Sequence, residues 1–386
     1  MAEFEKVPEG EAAQIDQVVK LTLAQLAARF PDNKPIRRGV HPKDHGCLTA
    51  TFTVSQSISE NLQVGVFAKP GQQFEALIRF SNADVNPEKP DSSVDPVAGL
   101  GHGSRGMAVK LLGVTGEPLL PNRGPLTQDF LMINQPVFAF ANVEDYKALS
   151  EILLKDKDNP KGFFARMASP DKNVSARAKR TFGIVQRIAS SLLTAPPAVP
   201  PAPPAPIAYQ PPPKSPVDNR YFSGAAFLFG EDRVMKFSVK PVAPASGSPS
   251  AADVADPNYL RTALRNRMAA GGDDTQNIVF EFQLQVRDAN SLAGKIDNDI
   301  EDACVEWKED EHPFVTVATI TIPPQDFDSP ERKALCEDLI FSPWHGLAQH
   351  RPLGGINRLR RDVYVASGQL RHSQPTPTLH RCPHIK

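Results

Sequence analysis

Apolar positions along the chain alternate between two periods. Ile15, Val18, Val19, Leu23, Leu26 and Phe30 recur at helical spacing over residues 13–30, and Pro31 closes that segment. Four short runs then read as strands: Leu48–Val54, Phe74–Phe80, Gly106–Leu112 and Asp129–Ile133. Each is alternating or continuously apolar, and Gly, Pro, Asn or Asp bounds it. Helical spacing returns at Val143–Leu154 and Ser175–Leu193. A second strand set follows at Phe222–Phe229, Val234–Val242, Asn277–Val286 and Phe314–Ile322. In the third of these, Val279, Glu281, Gln283 and Gln285 alternate with Phe280, Phe282 and Leu284, a clean two-residue period. Helical segments at Pro257–Ala270 and Asp288–Asp297 separate the strands. This order predicts an α+β chain whose two strand sets close into one antiparallel barrel with flanking helices. Two separate α+β domains satisfy the same pattern.

Composition changes this picture in one place. The chain has 386 residues, enough for one large core or two domains, and 38 of them are proline. Residues 195–216 (APPAVPPAPPAPIAYQPPPKSP) are proline-rich and almost without charge, which predicts a polyproline-type spacer unable to pair as helix or strand. The net charge of -1 offers no bulk attraction to nucleic acid or to an anionic membrane. No apolar run approaches the ~20 residues that span a bilayer. The opening Met-Ala-Glu-Phe-Glu-Lys has neither a basic nor an apolar signal region. Cys47, Cys304, Cys336 and Cys382 are scattered and read as free thiols in a reducing compartment. Together these features predict a cytoplasmic protein.

Candidate chemistry begins near the end of the chain. In the helical stretch Asn357–Arg371, Arg360 and Tyr364 are i,i+4 neighbours and Arg371 follows two turns later, so one face carries a phenol between two guanidiniums. A permanent cation one turn away favours the phenolate, a hard ligand for ferric iron. Such a pair on an exposed helix is ordinarily solvated and inert, so upstream residues must decide. His41 stands between the first helix and the first strand, three residues after Arg38. A neutral imidazole there suits general acid/base work on a peroxide. Arg79 sits inside an apolar strand, where it needs an anionic partner. Ser81, at the end of that strand, can fix a histidine tautomer or simply turn the chain. Asn134 ends the fourth strand, where turn chemistry is the ordinary reading and a carboxamide facing a peroxide the functional one.

Taken in order, Arg38-x-Val40-His41-x-Lys43, Ile78-Arg79-Phe80-Ser81, Arg105-Gly106-Met107-Ala108-Val109-Lys110, Asn134-x-Pro136-Val137-Phe138 and Arg360-x-x-x-Tyr364 resemble the haem-site motifs of the catalase family. The resemblance covers about residues 35–375. It implies a haem b with ferric iron on Tyr364 and Arg360 holding that ligand as phenolate. It also implies His41 as the distal acid/base, Ser81 bonded to His41, and Asn134 as the distal carboxamide. Arg38, Arg79 and Arg371 match propionate-binding arginines, and Phe138 matches a distal-pocket phenylalanine. It further implies residues 1–34 as an N-terminal helix and arm, and residues 376–386 as a tail.

Typical catalases are longer, and their threading arm and C-terminal helical domain are expected to be absent or reduced here. Residues Phe341–Asn357 are instead similar to the small catalase-related haem proteins, which include organic-peroxide peroxidases and fatty-acid hydroperoxide isomerases. Val40 stands where the allene oxide synthases have threonine and true catalases have valine. The resemblance therefore implies a haem peroxidase of organic or lipid hydroperoxides, with some activity on H2O2, drawing on an electron donor. A hydroperoxide isomerase or lyase, a minimal true catalase and a haem-binding barrel without turnover are the alternatives. Catalase relatives are usually dimers or tetramers, which makes a homodimer an expected assembly.

Overall fold

The computed structural model describes residues 4–31, 36–83, 89–91, 103–120, 126–156, 159–190, 212–269 and 277–373. Among them run nine strands: β1 (Asp44–Val54), β2 (Gln73–Asn82), β3 (Arg105–Leu111), β4 (Gln128–Ile133), β5 (Tyr221–Phe222), β6 (Phe227–Phe229), β7 (Arg233–Pro241), β8 (Ile278–Asp288) and β9 (Val315–Ile322). Their order is β5-β4-β3-β2-β1-β9-β8-β7-β6, and β5 also pairs with β7. That last pairing, Tyr221 with Val239 and Phe222 with Ser238, closes eight strands into an antiparallel ring with β6 as an outlying hairpin arm on β7. The two strand sets of the sequence thus form one barrel, joined where β1 pairs with β9 from Thr51–Thr321 to Val54–Ala318.

The two-residue period decides what faces inward. Phe52, Phe74, Phe80, Phe130, Phe237, Phe280 and Phe282 belong to one buried core with the aliphatic residues beside them. Phe130 and Phe282 sit 4.7 Å apart between ring centres, and Phe52 meets Phe282 edge-on at 5.2 Å. Aromatic pairs of this kind add about 0.5–1.5 kcal/mol beyond the area they bury. The barrel interior is therefore a filled core, and any site must use the outer faces of the strands.

Helices cover that outer surface: α1 (Glu11–Arg29), α2 (Val143–Lys155), α3 (Lys172–Ser190), α4 (Ala251–Ala255), α5 (Tyr259–Met268), α6 (Ile296–Asp299), α7 (Pro330–Asp338) and α8 (Gly355–His372). Ile15 and Val18 of α1, Val143 of α2, and Leu359 and Val363 of α8 form one buried cluster, so the first and last helices pack together. Arg358 of α8 reinforces this with ion pairs to Glu5, Glu11 and Glu301 at 2.6–2.7 Å.

Several predicted elements change form. The strand Phe222–Phe229 is two short strands, because Gly224 takes a left-handed φ of 68° and Ser223 Oγ donates to the Ala225 carbonyl. The helix predicted over Asp288–Asp297 is a single 3-10 turn at Asn290–Leu292 followed by the four-residue α6. Its polar side chains compete for the backbone: Asp288 Oδ1 accepts from Ser291 N at 2.8 Å. The helix expected from Pro257 begins at Tyr259. The bulk of the proline-rich run, residues 195–211, and the 376–386 tail lie outside the described residues. No helix among the described residues is long and apolar enough to cross a membrane.

Candidate active site

A cavity of about 1310 Å³, counted out to its open mouth, lies between the outer face of β2–β4 and helix α8. It brings together nine of the residues singled out in the sequence: Arg38, Val40, His41, Arg79, Ser81, Phe138, Arg360, Tyr364 and Arg371. On the barrel side, alternation supplies the wall. Phe80, Val109 and Phe130 belong to the barrel core alone, while Arg79, Ser81, Ala108, Leu131 and Ile133 line the cavity and Met107 and Met132 reach both.

His41 enters from the connection between α1 and β1. Its φ of 55° is the left-handed value found at no other non-glycine position among the described residues. Such a backbone costs energy for a bulky side chain and persists only where the surroundings enforce it. Two contacts enforce it here. His41 Nδ1 lies 3.0 Å from Ser81 Oγ, and the His41 carbonyl accepts from Arg79 Nη2 at 2.8 Å. Gly106 makes room for the ring: a Cβ there would stand 2.6 Å from Nδ1 and Cε1 of His41. The sequence signal for Gly106 is a glycine inside an otherwise apolar strand, which marks a close approach. His45, four residues on, is fully buried away from the cavity, with Nε2 2.7 Å from Asn82 Oδ1. Burial pushes its pKa down to about 4 against the pull of Asp91.

The opposite wall is α8. The Arg360 guanidinium lies 5.4 Å from the centre of the Tyr364 ring, one helical turn away as the spacing predicts. Arg360 Nη1 donates to Asn357 Oδ1 at 3.0 Å, while its buried Nε has no partner. Tyr146 of α2 also lines this wall and went unnoticed in the sequence, where it reads only as an apolar helix position. Burial raises its pKa to about 12, and nearby Tyr364 adds to the shift.

Three further guanidiniums meet at one edge of the cavity. Burial, and then the Arg79 cation, lowers the Arg38 pKa to about 10. Arg371 is shifted down as well, by burial first. Arg38 pairs with Glu337 at 2.9 Å, and both Arg38 and Arg371 donate to backbone carbonyls at residues 336–339. Arg79 Nε is buried without a partner. This edge carries buried positive charge and unused donors, which a carboxylate would satisfy.

Asn134 is the exception among the predicted residues. It is buried at the end of β4, but it does not line the cavity. Its Oδ1 accepts from Arg105 N at 2.8 Å and its Nδ2 donates to the Gly103 carbonyl at 3.2 Å. Both bonds are strand-end contacts. The neighbouring strand position, Ile133, faces the cavity instead.

No family model and no curated protein matches the sequence. Solved structures do match the fold. A fungal catalase aligns with a TM-score of 0.62 at 16% identity, over 89% of this chain and 61% of its own. Catalase A from Saccharomyces cerevisiae gives 0.61 at 16%, over 89% and 63%, and a bacterial catalase 0.59 at 15%, over 89% and 59%. The fold is that of the catalases. The chain spans about three fifths of the length of these catalases. At this identity the likeness is one of fold, and the chemistry must come from the cavity itself.

The residues lining this cavity fit a haem. Tyr364 is a phenol on a rigid helix beside a cation, the arginine edge carries unbalanced donors suited to two propionates, and the walls between are largely apolar. Among the described residues, no three His, Cys, Asp or Glu side chains gather as a separate metal-ion site.

Proposed function

We propose that this protein is a haem peroxidase that reduces organic or lipid hydroperoxides and, less effectively, H2O2. The observation that carries the proposal is one cavity joining His41 and Ser81 on the barrel wall to Arg360 and Tyr364 on the helical wall, with three arginines at its edge. Tyr364 Oη would ligate the iron, with the Arg360 guanidinium beside its ring. Arg38, Arg79 and Arg371 would hold the propionates through charge-assisted hydrogen bonds. Ferric haem bound there supplies the iron centre at which a peroxide O–O bond is cleaved.

The chain's own residues manage the proton. With Nδ1–H donating to Ser81 Oγ, the imidazole of His41 presents its lone pair at Nε2. Nε2 takes the proton from the hydroperoxide O–H and returns it to the departing oxygen, which leaves as an alcohol. The Arg79 bond to the His41 carbonyl holds the backbone that aims the ring.

The distal wall supports a substrate with an apolar tail. Val40, Ile133 and Phe138 line it, and the carboxamide of Asn134 does not. A small polar peroxide finds few groups there besides His41 and Ser81. An alkyl chain gains ~0.8 kcal/mol for each methylene it buries.

Turnover of H2O2, cumene hydroperoxide and a fatty-acid hydroperoxide by the haem-loaded protein, with a reducing dye as donor, tests the proposal. The expected result is kcat/KM rising with the size of the apolar group. Fast O2 release from H2O2 with flat or falling kcat/KM along the series would identify a minimal catalase. Conversion of the fatty-acid hydroperoxide without consumption of the dye would identify an isomerase.

A further inference from the structure

Three carboxylates from distant parts of the chain meet at the first turn of α8, the helix that carries Arg360 and Tyr364. Glu5 Oε1 accepts from Gly354 N at 2.9 Å, and Glu301 Oε2 accepts from Gly355 N at 2.9 Å. Glu11, at the start of α1, takes the Arg358 guanidinium at two points: Nε donates to Oε1 at 2.6 Å and Nη2 to Oε2 at 2.9 Å. The same guanidinium donates to Glu5 Oε1 at 2.6 Å and to Glu301 Oε2 at 2.7 Å. Arg351 Nη1 donates to Glu5 Oε2, and Lys6 N donates to Glu301 Oε1 at 2.9 Å.

The local backbone is shaped to admit these groups. Gly354 has a left-handed φ of 84°, and a Cβ there would collide with the Ile300 carbonyl. A Cβ on Gly355 would stand 3.0 Å from Glu11 Oε2. The four charged side chains are 5–14% exposed, so the pairs lie largely out of water. Ion pairs in such a place add little stability over an apolar replacement, which leaves fixing the conformation as their role here. Burial opposes the charge on Glu5, yet the bonds from Arg351 and Gly354 N hold its carboxyl below the usual range. Phe4, 4% exposed among Trp307 and Leu353, anchors the residue before Glu5.

Arg358 lies about 200° around the helix from Arg360, so the carboxylates hold the back of α8 while its front lines the cavity. Tyr364 follows Arg358 by about 9 Å along the axis. A shift or rotation of the first turn therefore carries Tyr364 with it. Other contacts keep α8 docked when one carboxylate is lost: Trp344 Nε1 donates to the Asn357 carbonyl at 2.7 Å, and Leu359 and Val363 pack against α1 and α2. We propose, resting on the reading of Tyr364 as iron ligand, that Glu5 and Glu301 are positioning residues. They fix the first turn of α8 and so set how Tyr364 Oη meets the iron.

The test uses the full chain loaded with haem and reads the ferric absorption and electron paramagnetic resonance spectra and the rate of haem transfer to apomyoglobin. Glu5→Ala and Glu301→Ala should each alter the ferric spectra and speed haem transfer by about tenfold. Glu5→Gln keeps an amide oxygen for Gly354 N and the bulk of the side chain, so it disturbs folding least and should fall between Glu5→Ala and the parent. Lys6→Ala removes the exposed Lys6–Asp297 pair of the same segment and leaves the carboxylates in place, so it should match the parent. Parent spectra in all three glutamate variants would overturn the proposal, as would an equal change in Lys6→Ala. Tyr364→Phe separates the two readings. Altered spectra there, with parent spectra in the glutamate variants, would overturn this inference alone. Unaltered spectra in Tyr364→Phe would overturn the ligand assignment and this inference with it.

Discussion

The two faces of strands β2–β4 have the same backbone and opposite contents. Inside the barrel, Phe80, Val109 and Phe130 join a filled core. Outside, one residue away on each strand, stand Ser81, Ala108 and Leu131, and the cavity opens against them. The inner face provides rigidity and the outer face chemistry. A single-residue slip in register would exchange them. Arg79 and Ser81, which hold the His41 backbone and ring, are thus carried on a strand anchored by aromatic packing, which keeps positioned side chains within tight tolerances.

Breaking each face separately should give opposite signatures. His41→Ala should lower hydroperoxide turnover by about 10²–10⁴ while haem uptake and melting temperature stay close to the parent's. Phe282→Ala, on the inner side, should cost about 3–5 kcal/mol of stability with little change in kcat for the fraction that folds. Denaturant melts and steady-state rates of both variants check the separation. If Phe282→Ala retains its stability, the inner face is not the anchor. On the helical wall, Tyr364→Phe should remove the iron ligand and change the ferric absorption spectrum, and an unchanged spectrum would exclude Tyr364 from that role.

Acid should attack the two regions together. His45, buried against Asn82 away from the cavity, and His350, packed on Phe67 and Phe229, are both held neutral by burial, each with a pKa of about 4 against an ordinary 6.5. Between those values the unfolded chain binds more protons than the folded one, so stability falls as pH drops from about 6.5 towards 4. Each histidine contributes about 3 kcal/mol of this loss. His350→Gln should flatten the acid limb of a stability–pH curve, and an unchanged slope would contradict the assignment. Nearer the site, Gly106→Ala puts a methyl where the His41 ring stands. A displacement of that kind should cost about 10²-fold in turnover with the fold retained, read as a fall in kcat with KM nearly constant.

Much of this arrangement was legible because two periods carry it. Alternation located the long strands to within a residue or two, except that β1 begins four residues before the predicted Leu48, at Asp44, and i,i+4 spacing placed Arg360 beside Tyr364. Short elements were not legible in the same way. In α6 and the turn before it, Asp288 and Ser291 bond the local backbone and defeat the helical pattern. The capping signals at Ser250/Asp253 and at Ser329-Pro330 were present in the sequence and announce α4 and α7, neither of which was predicted. Tyr146 reaches the cavity through tertiary packing, and no local pattern marks it as more than a helix position, whereas Gly106 carries the signal of a glycine inside an apolar strand. At Asn134 the motif matches in order, the carboxamide bonds strand-end backbone, and strand parity gives the cavity position to Ile133.

That parity gives the smallest expected effect and the sharpest discrimination. Asn134 spends its carboxamide on Arg105 N and the Gly103 carbonyl, so its work is to close the end of β4. Asn134→Ala leaves a buried Arg105 N–H without its acceptor and should cost about 1–3 kcal/mol of stability. Hydroperoxide turnover should stay at the parent level, because the lost group does not face the cavity. Ile133→Asn is the complement: it adds a carboxamide on the cavity face of the same strand. It should raise turnover of H2O2 relative to cumene hydroperoxide, since a polar group then meets the small peroxide and apolar wall is lost to the larger one. Rates of both variants with both peroxides decide the point. A loss of turnover in Asn134→Ala at unchanged stability, with no shift in preference for Ile133→Asn, would return the distal role to Asn134.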